Sequence, residues 1–124
     1  VYSTDVCVPI SKLVECINFA ENEIKKIGSK APMLGHVGDG NFHALFAYDP
    51  SKDGEYEKIR NFSNKLIDKT LELEGTITGE HGIGLHKKSY LLKEHSDNVP
   101  LMKSIKRSLD KNNIMNPGKI FDLN

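Results

Sequence analysis

A chain of 124 residues with 38% apolar side chains is long enough for one domain with a modest core and too short for two of ordinary size. Its 17 lysines and arginines are matched by 17 aspartates and glutamates, so no net field draws it to nucleic acid or to an anionic membrane surface. No apolar run approaches the ~20 residues of a membrane span.

Residues 2–8 alternate loosely and end on Val6-Cys7-Val8 ahead of Pro9, which predicts a first strand. Ser11 is placed to cap a helix whose apolar positions Leu13, Ile17, Ala20, Ile24 and Ile27 form one stripe, with Gly28 just past its end. Residues 32–37 and 41–48 are predicted as paired strands. In the second, Phe42, Ala44, Phe46 and Tyr48 share the core face, and Asn41, His43, Leu45 and Ala47 take the opposite one. A long helix running to about Leu73 follows the loop 49–54, with Tyr56, Ile59, Ser63, Leu66, Thr70 and Leu73 inward and Gly75 ending it. Thr76-Ile77-Thr78 is short and β-prone. A helix over about 86–94 and another from about Pro100 to Lys111, with Leu101, Met102, Ile105 and Leu109 inward, precede an irregular tail. The order strand–helix–strand–strand–helix–strand predicts an α+β fold, a ferredoxin-like split βαβ antiparallel sheet with helices on one face, plus C-terminal helices and tail.

Two motifs carry chemistry. In Gly35-His36-Val37-Gly38-Asp39-Gly40-Asn41-Phe42-His43, an Asp39-Gly40 type I′ turn would set His36 directly opposite His43, with Cβ atoms roughly 4.5–5.5 Å apart. Two neutral imidazoles so placed can share one divalent cation. The stretch Gly75 to Gly84 supplies Glu80 and His81 side by side. Two histidines and a carboxylate make a set used by catalytic metals that keep open positions. His36, His43 and Glu80 are therefore expected as metal ligands, with His81 left for proton chemistry. For a single histidine beside a glycine turn, an ordinary surface or core role is the commoner case; the symmetric pair and the second acid–histidine loop favour a chelate. Cys7 and Cys16 lack a Cys-x-x-Cys spacing and fit reduced thiols of an intracellular protein.

The segments Thr4 to Leu13, Gly35 to His43, Gly75 to Gly84 and Asn116-Pro117-Gly118-Lys119-Ile120-Phe121 occur here in the order found in a known enzyme group. The chain resembles the C-terminal part of FAD-linked D-2-hydroxyacid dehydrogenases and oxidases. These are vanillyl-alcohol oxidase-type flavoproteins that include cytochrome-type D-lactate dehydrogenase, the glycolate oxidase FAD subunit and D-2-hydroxyglutarate dehydrogenase. The opening from Asp5 to Leu13 is most similar to the D-lactate branch.

The resemblance implies His36, His43 and Glu80 as ligands of zinc or manganese and His81 as the base beside the flavin. It also implies that Asn116 lies in a segment that returns to the flavin domain. Residues 1–124 would then form the substrate-binding domain, with 85–124 the helical extension toward the FAD domain. The substrate would be a small 2-hydroxy acid whose carboxylate is held by a basic residue upstream of Val1.

No glycine-rich phosphate cradle follows a strand, and the sequence opens without Met, a leader or a transit pattern. A piece of a longer chain is expected, with FAD held by a domain outside it, in a bacterial cytoplasm or a mitochondrion, and inactive by itself. The competing reading is a non-catalytic module that binds a metal or a small carboxylate.

Overall fold

Strand β4 (Asn41–Phe46) is the axis of the sheet, and the other three strands pair with it antiparallel. The computed structural model describes residues 1–123, in two units, Val1–His81 and the residues from Gly82 onward. The predicted first strand is split into β1 (Tyr2–Ser3) and β2 (Val6–Cys7), which keep one register along β4: Tyr2 faces Phe46 and Val6 faces Phe42. The interruption has a local cause. The hydroxyl of Thr4 accepts the Ala44 N–H at 2.8 Å, where a ladder would use a carbonyl. The expected last strand reduces to a bridge between Cys7 and Thr76. The fold is α+β, as predicted.

Helix α1 (Leu13–Lys26) and helix α2 (Glu55–Glu72) contact each other and bury their stripes with the aromatic face of β4. Leu13, Cys16, Ala20 and Ile24 are buried from α1, and Ile59, Phe62, Leu66, Ile67 and Thr70 from α2. Phe46 meets Phe62 edge-on, ring centroids 5.0 Å apart, a favoured aromatic geometry. Phe62 and Ile67 belong to the core although the predicted stripe omits them, while Tyr56 is exposed and contacts Tyr2 and Tyr48. Ser11 does not cap α1: it lies within a 3₁₀ turn, Ile10–Lys12, that leads into the helix.

The glycine turn departs from the expected two-residue hairpin. Strand β3 is Met33–Leu34 alone, and its register sets Leu34, not His36, opposite His43. The carbonyl of His36 accepts the Asp39 N–H at 2.8 Å, and Val37–Asp39 wind into a 3₁₀ turn closed by Gly40 at φ 79°. A contact distant in sequence dictates this path. Gly40 O accepts the Val8 N–H at 3.0 Å, and a Cβ on Gly40 would lie 1.9 Å from Val8 O. Only glycine combines that approach with a left-handed φ.

The second unit holds α3 (Lys88–His95) and α4 (Val99–Leu109). Asp110, buried, accepts the N–H groups of Ile114 and Met115 and pairs with Lys106, which ties the tail to the end of α4. Lys88 bridges to Asp122, and Gly84 O accepts the Ile120 N–H. Leu101, Ile105 and Leu109 were expected inward and are exposed; Val99 is the buried residue of α4. So short a segment has too little interior to enclose a second apolar stripe.

Candidate metal centre

The alternation of β4 sends Phe42, Ala44 and Phe46 into the core and His43 to the other side of the sheet. There it is still only 5% exposed, beneath the loop that carries Glu80 and His81. Because Thr4 meets Ala44 N–H with its hydroxyl, its carbonyl is free to face His43, 3.0 Å from Nδ1. A carbonyl can only accept, so in the neutral ring this contact assigns the proton to Nδ1 and leaves the Nε2 lone pair for another partner. The continued β1–β2 register makes Asp5 the residue directly across from His43, with Oδ1 3.6 Å from Nδ1.

His43 Nε2 lies 2.9 Å from Glu80 Oε1, and His36 Nε2 lies 3.6 Å from Glu80 Oε2. The Glu80 carboxyl thus sits between the two imidazoles. The His81 ring stacks on that of His43, centroids 4.7 Å apart and planes within 6°. Its Nε2 is 3.9 Å from Glu80 Oε1. These four side chains line one pocket of about 390 Å³, together with Ser3, Leu34, Gly35 and Leu45.

The donor set fits a divalent cation. Nitrogen and oxygen ligands at about 2.1 Å from a tetrahedral ion are about 3.4 Å apart, and the separations around Glu80 bracket that value. A neutral His43 directs a lone pair at a carboxylate oxygen, an arrangement that needs a proton or a metal ion between them to be favourable. Asp5, His43 and His81 also bring one ligand-type atom each within 4.8 Å of one another. That set is the poorer chelate. Both Asp5 oxygens already accept donors from residues 41 and 78–81, and the His43 atom nearest Asp5 is the Nδ1 engaged by Thr4.

The structure therefore brings His36, His43, Glu80 and His81 together, although His36 arrives through the turn and not through the strand pairing expected. Asn116 lies in the second unit, exposed, with φ 49° and its carbonyl accepting the Lys119 N–H. Thr4, Asp5, Asn41 and Thr78 support the centre and were not singled out from sequence. The available signal was Thr4-Asp5 itself, an aspartate inside a strand pattern that aspartate disfavours.

An α+β domain bearing a histidine–carboxylate cluster on the open side of its sheet is the class defined by this geometry. A family model described as "FAD linked oxidases, C-terminal domain" matches residues 1–120, and the chain belongs to that family. It is 45% identical to "Probable D-lactate dehydrogenase, mitochondrial" of Danio rerio over 98% of this chain and 25% of that protein. It is 41% identical to "D-lactate dehydrogenase [cytochrome], mitochondrial" of Arabidopsis thaliana over 95% of this chain and 21% of that protein. With "Glycolate oxidase subunit GlcD" of Bacillus subtilis (strain 168) it shares 36% identity over 94% of this chain and 25% of that one. The chain thus spans a quarter or less of the length of these curated relatives. No helix among the described residues is long and apolar enough to cross a membrane.

Proposed function

We propose that this chain is the substrate-binding domain of an FAD-dependent D-2-hydroxyacid dehydrogenase or oxidase of the D-lactate or glycolate type. In this reading the FAD-binding domain lies elsewhere in the same protein, the isolated segment is inactive, and the enzyme works inside the cell. The names of the relatives support the reaction class. The observation that carries the reading is the Glu80 carboxyl held between His36 Nε2 and His43 Nε2, with His81 alongside.

His36, His43 and Glu80 would hold zinc or manganese; a bound cation supplies Lewis acidity toward the substrate hydroxyl, and FAD supplies the acceptor for the C2 hydride. His43 is held by Thr4 O so that Nε2 faces the pocket. Leu34 and Leu45 form an apolar wall suited to the short alkyl group of a small 2-hydroxy acid. His81 takes the hydroxyl proton at a ring nitrogen. Its side chain is 46% exposed, so the proton can pass on to water once the base has taken it. Asn116 and the segment 85–124 would meet the flavin domain.

The test is made on the full-length protein. The parent should carry about one divalent ion per chain by elemental analysis and contain FAD. His36→Ala, His43→Ala and Glu80→Gln should each lose most of that metal while keeping the flavin. Full metal content in all of the variants would remove the basis of the mechanism, and a parent that never contains FAD would favour the non-catalytic module.

A further inference from the structure

Asp5 is among the least exposed polar residues described, 2% accessible, and it faces the loop 78–81. Its Oδ2 accepts the Thr78 hydroxyl at 2.7 Å and the N–H groups of Gly79 at 3.0 Å, Glu80 at 3.2 Å and His81 at 2.9 Å. Its Oδ1 accepts Asn41 Nδ2 at 2.9 Å and stands 3.3 Å from Glu80 N. Three successive backbone N–H groups converging on one point form a concavity that attracts an anion. Here the anion is a side chain of the neighbouring strand.

We infer that Asp5 is the positioning residue of the proposed metal centre, folding the Thr78–His81 backbone into the shape that aims Glu80 between the two imidazoles. The inference rests on the metal reading for its consequence, not for its geometry. With the backbone N–H groups of residues 79–81 all turned toward Asp5, the Glu80 side chain leaves the loop toward His36 and His43, and the His81 ring is laid flat on His43. Asn41 closes the far side: its amide donates to Asp5 Oδ1 and to Val6 O at 3.0 Å. Asparagine cannot replace Asp5, because an amide offers one acceptor oxygen where two are needed, and its NH₂ would confront either Asn41 Nδ2 or the loop's N–H groups. Asp5 touches neither substrate nor metal in this scheme; it acts through Glu80 and His81.

The experiment compares Asp5→Asn, Thr78→Val and Thr78→Ser with the parent in the full-length protein. Three quantities are measured: zinc affinity by chelator competition, the visible spectrum of the cobalt-substituted protein, and hydrogen exchange of peptides covering 78–84 without metal. Asp5→Asn should weaken zinc about 10–100-fold, as loss of a ligand-orienting partner does, and change the cobalt spectrum. It should also speed loop exchange about tenfold. Thr78→Val should do the same to a lesser degree, and Thr78→Ser should restore parental values. Parental affinity, spectrum and exchange in Asp5→Asn would overturn the inference. So would an Asp5→Asn protein that fails to fold together with a Thr78→Val protein that matches the parent in all three measurements. A parent that binds no zinc or cobalt would sink the metal reading alone, since the exchange comparison still decides whether Asp5 orders the loop.

Discussion

Gly79 gives the sharpest test of how the loop is held. A Cβ at this position would lie 1.9 Å from Asn41 Nδ2, 2.8 Å from Asn41 Cγ and 3.0 Å from Asp5 Oδ1, against an ordinary nonbonded separation of roughly 3.5 Å. In Gly79→Ala either the loop or the Asn41 amide must therefore move by roughly 1.5 Å. Moving Asn41, buried at the end of β4, breaks its bonds to Asp5 and Val6. Overpacking of this kind costs about 1–3 kcal/mol, and each buried polar group left unpaired about 1–3 kcal/mol more. Taking only the lower limits, about 2 kcal/mol, the melting temperature of a unit the size of Val1–His81 should fall by about 8 °C or more. Gly38→Ala is the matched control, because a Cβ there meets nothing within 4 Å, and its effect should stay within about 0.5 kcal/mol. Thermal unfolding followed by circular dichroism measures both. Equal melting temperatures for the two variants would refute the reasoning that the 78–81 loop is closed onto Asp5 and Asn41.

His81→Ala in the full-length protein should retain the metal yet reduce flavin with substrate about 100-fold or more slowly, the usual loss on removing a general base; stopped-flow flavin absorbance reads it, and near-parental reduction at neutral pH would exclude His81 as the base. Glu23, buried on α1, has its carboxyl pKa lowered by Lys26 and Lys65. A carboxyl whose folded pKa lies below its unfolded value of about 4.3 contributes stability above that value and loses it as pH falls through the folded pKa. Glu23→Gln should therefore be less stable than the parent at pH 7, with the gap closing as pH drops below about 4, measured as the difference in melting temperature. Cys16 is fully buried and burial pushes its thiol up, so alkylation of native protein by iodoacetamide at pH 7.5 should spare it until denaturant is added; rapid native labelling, located by peptide mass, would contradict the packing of α1 on α2.

How much of this protein is legible in its sequence depends on the range over which each feature is decided. The stripe from Leu13 to Ile24 and the alternation from Asn41 to Phe46 are local periodicities, and they correctly put His43 on the side of β4 away from the core. Gly28, at φ 68° just past α1, is likewise read from its neighbours alone. The Gly79-Glu80-His81-Gly82 loop also announces itself by residue type.

Register is different. The Asp39-Gly40 turn has the composition of a two-residue hairpin. The hydrogen bond from Val8 N–H to Gly40 O, between residues far apart in the chain, instead selects a wider turn that moves His36 out of the ladder. Likewise, no local pattern tells that a carboxyl at position 5 will be buried under residues 78–81, because that contact exists only once β1, β2 and the loop have met. The stripe of Leu101, Ile105 and Leu109 shows the converse, since amphipathic spacing alone does not say whether anything is present to cover it. Sequence by itself determined which residue types and which faces are offered; the tertiary structure decided which of them meet. The reason is physical: periodicity is set by each residue's immediate neighbours, whereas register and the burial of charge are set by hydrogen bonds that form only when distant segments are brought together.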